Sequence, residues 1–378
     1  MKRHAWLIRG ASSLVLVLSL ALAACSSSTK KPEPGPLPAV SGGMNASKAW
    51  TARLGEITTP LQAAVIGTRV VLASSQGLLV ELQAEGGQEV WRLQLKDTLT
   101  AGVGSDGRRH AVVTAGNELV VVQDGRERWR QRLSAQTYTS PLVAGERVFV
   151  QMADRSVQAY DGATGQRLWS LQRNADPLVL RQAGVLGAVG DTLLVGNGGR
   201  LSAIQPLNGQ VRWEVVIGSS RGTNEVERLV DLVSGVNRQG QTVCVRSFQT
   251  AVACVDTARG QTLWSRSSQG HQGLDGDESR VFGVESDSKL RAWNRLDGQP
   301  AWAEDQYRFR QLTAPRVWSS AVAFGDAQGL VHLLDRERGR TLQRLATDGT
   351  PVALQPVVAG RTLVTVNRSG LVTGWRAD

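Results

Sequence analysis

Asp161-Gly162-Ala163-Thr164-Gly165-Gln166-Arg167-Leu168-Trp169 reads as the end of one strand, a turn and the start of the next, with Trp four residues after the second Gly. That Gly supplies the positive backbone φ of a tight hairpin, and the leading Asp can hydrogen-bond its own turn. The spacing returns at Gly87…Trp91, Gly125…Trp129, Gly209…Trp213, Gly260…Trp264 and Gly298…Trp302, while Gly339…Gln343 keeps the Gly and loses the ring. From Trp50 through Trp91, Trp129, Trp169, Trp213, Trp264 and Trp302 to Gln343 the steps are 41, 38, 40, 44, 51, 38 and 41 residues. A period near forty that contains strands and turns is the length of one four-stranded propeller blade.

One unit shows the order of strands: Arg147-Val148-Phe149-Val150, a turn at Ala153-Asp154-Arg155, Ser156 to Tyr160, then the nine-residue phrase, with Pro141-Leu142-Val143 as the fourth strand. Apolar runs such as Leu119 to Val122 and Leu363 to Val366 break polar alternation, as expected of strands covered on both faces by neighbouring blades. Each Trp then fills the seam between two blades. Trp50 has no unit before it, and the C-terminal stretch stops at Trp375 where a fourth strand is due. The N-terminal strand is therefore expected to complete the last blade and remove an exposed edge. The fold class is all-β, an eight-bladed β-propeller of four-stranded antiparallel blades over residues 45–378.

Lys2, Arg3 and Arg9 precede an apolar run from Leu14 to Ala24 that is too short for a membrane span and has the form of an export signal. It ends Leu22-Ala23-Ala24-Cys25, small residues before a Cys, the form of a lipoprotein cleavage site; the alternative is an ordinary signal with a chance Cys. Residues 1–24 are thus the signal peptide, and Cys25 the acylated first residue of the mature chain. Acyl chains such as palmitate would anchor it, each buried methylene adding about 0.8 kcal/mol. Ser26 follows, where Asp would resemble an inner-membrane retention signal, so the chain is expected on the periplasmic face of the outer membrane. Residues 25–44, with Pro32, Pro34, Pro36 and Pro38, are expected to form a flexible tether. Losing residues 1–24 removes three basic residues and no acid, leaving 40 basic against 33 acidic, so the formal charge falls from +10 to +7. In the periplasm that excess serves solubility, or meets an acidic protein face or anionic lipid; no nucleic acid is expected as partner.

Catalytic chemistry is hard to place. His110, His271 and His332 fall in different blades, and no carboxylates pair at metal-ligand spacing, so neither metal nor cofactor is expected. Asp275-Gly276-Asp277-Glu278 lacks the remaining ligands of a calcium loop and is read as an exposed inter-blade turn. Gly196-Asn197-Gly198-Gly199 reads as a hairpin turn rather than a phosphate cradle. Cys244 and Cys254 flank a hairpin turn at Phe248-Gln249 and are either a disulfide of an oxidising compartment or two small buried hydrophobes.

The Asp-x-x-x-Gly-x-x-x-Trp phrase resembles the repeat of the pyrroloquinoline-quinone dehydrogenases and their non-enzymatic relatives. Combined with the cleavage site at Cys25, the tether and a single compact ring, it resembles the propeller lipoproteins of the outer-membrane β-barrel assembly machinery. That resemblance implies a non-catalytic scaffold that binds the POTRA domains of BamA and helps deliver unfolded outer-membrane proteins for insertion. Residues Leu178-Val179-Leu180-Arg181 match the family's apolar-x-apolar-Arg partner-binding segment. Asp231, in Glu227 to Val233, matches one Asp of its acidic segment, and Val233 stands where the family has a second. The alternative is a quinone-dependent dehydrogenase, which needs calcium ligands, a ring-stacking Trp and usually adjacent Cys residues.

Geometry points to the same place. Connections from an outer strand to the next inner strand all emerge on one face, and the two longest repeat intervals end at Trp213 and Trp264. Two enlarged loops are expected side by side there. Leu178 and Leu180 then serve either as exposed anchors beside a charged Arg181, or as inward-packing residues with Arg181 a solvated rim charge.

Overall fold

The computed structural model describes residues 32–173, 178–219 and 229–378. Among these residues the strands form eight four-stranded sheets, each antiparallel throughout, seven of consecutive strands and the eighth of the last three strands joined by the first. The sheets run from Ala64–Gln94 through Leu99–Arg132, Leu142–Leu171, Leu186–Val216, Leu232–Ser267, Leu274–Glu304 and Arg316–Ala346 to Val357–Ala377. Ala46–Arg53 pairs with Leu371–Ala377 as the outer strand of the eighth blade, so the ring closes between the two ends of the chain.

Burial follows position within a blade. The second and third strands are apolar on both faces: Arg109–Thr114 is buried at every residue, and Glu118–Gln123 at its four central ones. Outer strands alternate, as in Glu89–Gln94, because only one face meets the neighbouring blade. Near the axis, Gln62 before the first blade donates to Ser234 Oγ on the inner strand of the fifth, so polar side chains meet across the ring.

The repeated Gly sits beneath the indole of the preceding blade. A Cβ on Gly87, Gly165, Gly209, Gly260, Gly298 or Gly339 would strike the side chain of Trp50, Trp129, Trp169, Trp213, Trp264 or Trp302 respectively, at 2.5 Å for Gly298, and one on Gly125 would press on Trp91 at 3.1 Å. The Gly therefore does two things: it takes a positive φ and leaves room for the ring. In six of the seven seams the indole Nε1 also donates to the carbonyl three residues before that Gly, for example Trp129 to Gly162 O at 3.0 Å and Trp264 to Arg295 O at 2.7 Å.

The exceptions have local causes. Trp91 donates instead to Glu81 Oε2 in its own blade at 2.6 Å. The second blade makes its last hairpin with only Asp124 and Gly125, both at positive φ, so the residue three before the Gly is the strand residue Val122. Gln343, where a ring is missing, exchanges two 2.8 Å hydrogen bonds with the main chain of Ala46. Its neighbour is the closing strand, so there is no Gly turn for an indole to cover.

Two expectations need correction. The compact body begins at Gly35 rather than residue 45. Gly35 N donates to Arg308 O at 3.0 Å, Arg310 Nη1 donates to Gly35 O at 2.9 Å, and Ser41 N donates to Thr341 O at 2.8 Å. Residues 35–44 are thus docked against the sixth and seventh blades, because their main-chain groups find partners there despite a composition that builds no core. The segment Asp275 to Glu278 is no inter-blade turn. Asp275 lies on the sixth blade's inner strand, buried, with Oδ1 accepting from Asn237 Nδ2 at 3.0 Å and Oδ2 from Val317 N at 2.7 Å, which ties three blades together. Asp277 accepts from Ser279 N and Arg280 N within the blade's first hairpin.

Cys244 and Cys254 stand directly opposite on adjacent strands, both fully buried and joined as a disulfide, with 4.0 Å between Cα atoms.

The seam predicts an asymmetric response to substitution. Gly298→Ala should cost about 1–3 kcal/mol, since the new methyl must displace Trp264, and Trp264→Ala about 3–5 kcal/mol. Gly187→Ala, with open space around it, should stay within about 0.5 kcal/mol. Chemical denaturation of the three variants checks the order.

Candidate functional site

The connections from the third to the fourth blade, residues 172–185, and from the fourth to the fifth, residues 217–231, are the longest in the ring. Strand alternation places them on the same face as the turns between the second and third strands of each blade. The turn at Ala153-Asp154-Arg155 in the third blade therefore lies beside both.

Arg155 holds the cluster together. At positive φ it turns its guanidinium toward the junction loops, where Nη1 ion-pairs with Asp231 Oδ1 and Nη2 donates to Leu178 O at 2.8 Å. Asp231 Oδ2 accepts from Leu180 N at 2.9 Å. One buried carboxylate is thus shared between a guanidinium from the third blade and a main-chain amide from the first enlarged loop. Main-chain bonds extend the join: Ser234 N to Ala183 O and Phe248 N to Asp231 O, both 2.8 Å. Gln182 Nε2 reaches His271 O, 2.7 Å away in the connection between the fifth and sixth blades. Burial, with Arg246 nearby, holds the His271 imidazole below the usual histidine range, so it is neutral at pH 7.

The four expected site residues separate into two kinds. Leu178 is 38% exposed and Arg181 is exposed, whereas Leu180 is half-buried and Asp231 is buried at 8% exposure. Asp231 faces inward as the brace between the loops, because Arg155 and the Leu180 amide occupy its two oxygens. Glu227 and Arg228 of the same segment lie outside the described residues, as do Cys25 and residues 1–24. The Arg181 guanidinium carbon lies 5.9 Å from the centre of the Tyr138 ring, a cation–π arrangement. Below these side chains, Tyr138, Gln151, Leu180, Gln182 and Asp231 line a small pocket.

Tyr138 and Arg155 carried no signal in the sequence. Arg155 reads as one more charged residue in a hairpin turn, and Tyr138 lies outside every repeated phrase. Only the rule that middle turns and junction loops share a face would have drawn attention to Arg155. Among the described residues, no group of three or more His, Cys, Asp or Glu is placed to hold a metal ion.

The blade-by-blade stacking of indole on Gly, with its junction loops gathered on one face, defines an eight-bladed propeller built from the pyrroloquinoline-quinone-type repeat. Solved structures agree: BamB from Moraxella catarrhalis superposes with a TM-score of 0.80 at 24% identity, covering 88% of this chain and all of that one. The quinohemoprotein alcohol dehydrogenase of Comamonas testosteroni superposes at 0.67 with 12% identity, over 87% of this chain and 76% of the enzyme. At those identities the likeness is one of fold. Sequence narrows it: the profile described as "Outer membrane protein assembly factor BamB" matches residues 75–304. Proteins of that name from Burkholderia pseudomallei and Bordetella pertussis are each 31% identical, over 88% and 89% of this chain and 88% of each relative. The chain belongs to the BamB family of outer membrane protein assembly factors.

The brace makes a quantitative demand. Asp231→Ala leaves the Arg155 guanidinium without its counter-charge in a largely dry site and should destabilise the fold by about 3 kcal/mol. Pairing Asp231→Leu with Arg155→Met should recover much of that loss. A double-mutant cycle in urea, reading the coupling energy, is the check.

Proposed function

We infer that this protein is a non-catalytic scaffold of the outer-membrane protein assembly complex, held at the periplasmic face of the outer membrane by acyl chains on Cys25. Residues 1–24 act as its signal peptide. It docks on the POTRA domains of BamA through Leu178, Leu180 and Arg181 and so assists delivery and insertion of unfolded outer-membrane proteins.

The observation that carries this reading is the braced pair of loops. Asp231 and Arg155 hold the Leu178 to Arg181 segment against the disc, and the segment presents a partly exposed Leu beside an Arg resting on an aromatic ring. An apolar anchor next to a planar cation of restricted motion is the composition of an interaction hot spot for a partner with an apolar cleft and a carboxylate. Tyr138 joins the site as the platform that limits Arg181 before binding. Family membership supports the same reading, since its relatives bear the name of assembly factors. The dehydrogenase alternative is left with a likeness of fold alone, and added quinone and calcium should produce no dye reduction by the purified protein.

Co-purification with BamA from detergent-solubilised outer membranes tests the site. Arg181→Glu should abolish it with Tm unchanged, because the side chain is exposed. Tyr138→Ala should weaken binding by about 0.5–1 kcal/mol, a few-fold in Kd. Full retention by Arg181→Glu would remove the site assignment.

A further inference from the structure

The connection from the sixth to the seventh blade combines a buried pedestal with an exposed tip. Tyr307 is fully buried, its ring 5.2 Å from Phe324 and 4.8 Å from His332, and its hydroxyl lies 2.6 Å from Thr341 Oγ1. Arg310, also buried, donates Nε to Asp326 Oδ2 at 3.0 Å; that oxygen also takes His332 Nε2 at 2.9 Å. Between these two fixed residues Phe309 turns outward, 43% exposed, at φ +60°. Its amide donates to Asp287 O at 3.1 Å. A bulky non-Gly residue in the left-handed region is a true outlier, and such strain persists only where surrounding contacts impose it. Here the fixed neighbours Tyr307 and Arg310 leave the phenyl ring turned to solvent.

The same connection receives the start of the compact body. Gly35 is bonded on both sides to Arg308 and Arg310, and the docked run that follows carries Leu37 at 39% and Val40 at 49% exposure. Leu37 therefore joins Phe309 at the part of the rim where the chain from Cys25 arrives, whereas Val40, next to the Ser41 amide that donates to Thr341 O at the start of the seventh blade's outer strand, lies toward the opposite face. Nine residues lie between Cys25 and Gly35, ten steps that even fully extended reach no more than about 35 Å. With Cys25 acylated, this rim is obliged to stay within that distance of the bilayer, whatever else the disc does. A tether that short lets exposed aromatic and aliphatic side chains reach the headgroup layer, into which such side chains partition.

We propose that residues 305–311 and 35–37 form a membrane-contact rim, with Phe309 as its anchor, that sets the disc on the headgroup layer of a phospholipid bilayer. The rim lies on the loop side of the ring, as the 172–185 and 217–231 connections do. Resting on it therefore fixes the angle at which the docking loops meet their partner. The proposal rests on acylation of Cys25 and is separable from it.

Hydrogen exchange by mass spectrometry on the purified full-length lipoprotein, reconstituted in vesicles of phosphatidylethanolamine and phosphatidylglycerol, is the test. Amides of 305–311 should exchange about tenfold more slowly than in detergent, a change of about 1.4 kcal/mol. The turn Arg295 to Gly298, on the opposite face, should not change. Phe309→Gly, which suits the left-handed backbone, should lose the protection without losing Tm, and Phe309→Trp should keep it. If mass analysis shows no acyl chain on Cys25, the anchoring reading fails. The rim is then tested by coupling Cys25 to maleimide lipid in the same vesicles, Cys244 and Cys254 being bonded to one another. Equal exchange at 305–311 in vesicles and detergent, with the protein attached by either route, would overturn the proposal.

Discussion

An indole laid on a glycine is the contact from which the ring is built. A Trp contributes its whole face only if the opposing backbone comes within van der Waals reach, and a Cβ at that point would occupy the space of the ring. The positive φ of the same Gly turns the hairpin, so one residue sets both the local chain reversal and the distance between blades. The Nε1 bond to the carbonyl three residues earlier then fixes the rotation of the ring. Repetition of this unit accounts for the regularity of the disc, and both exceptions, Trp91 and Gln343, occur where the turn is shorter or absent.

The proposed partner surface lies in what the regular part leaves free. Once the seams determine blade position, the junction loops can grow without disturbing the core. Those around residues 178 and 231 are gathered by a buried Arg–Asp pair from two different blades. Buried ion pairs add little net stability, but they are specific about geometry. In this site the pair ties Leu178 and Leu180 of one loop and Asp231 of the other to the turn of the third blade, beside Arg181 over Tyr138.

Most of the architecture was legible in the primary structure because the Gly-to-Trp spacing is a physical requirement and recurs without drift. Closure by the strand around Trp50 could be read from what the last unit lacked. The docking of residues 35–44 could not, since it depends on main-chain bonds from Gly35 and Ser41 to residues some three hundred positions away. Composition misled in the same way at Asp275, where an acidic, Gly-containing run looks solvated yet ties three blades. At the candidate site, the resemblance picked out Leu178 to Arg181 and Asp231 but gave no means of telling presenter from brace. That distinction follows from Arg155, whose role depends on two loops folded elsewhere in the chain.

We propose the braced loop pair on one face as the partner-binding surface. In-cell photo-crosslinking tests it most directly, with a photoreactive residue placed at Leu178 or at Leu207, which is 61% exposed in a turn on the opposite face. An adduct with BamA is expected from position 178 and none from position 207. An adduct from 207 with none from 178 would contradict it.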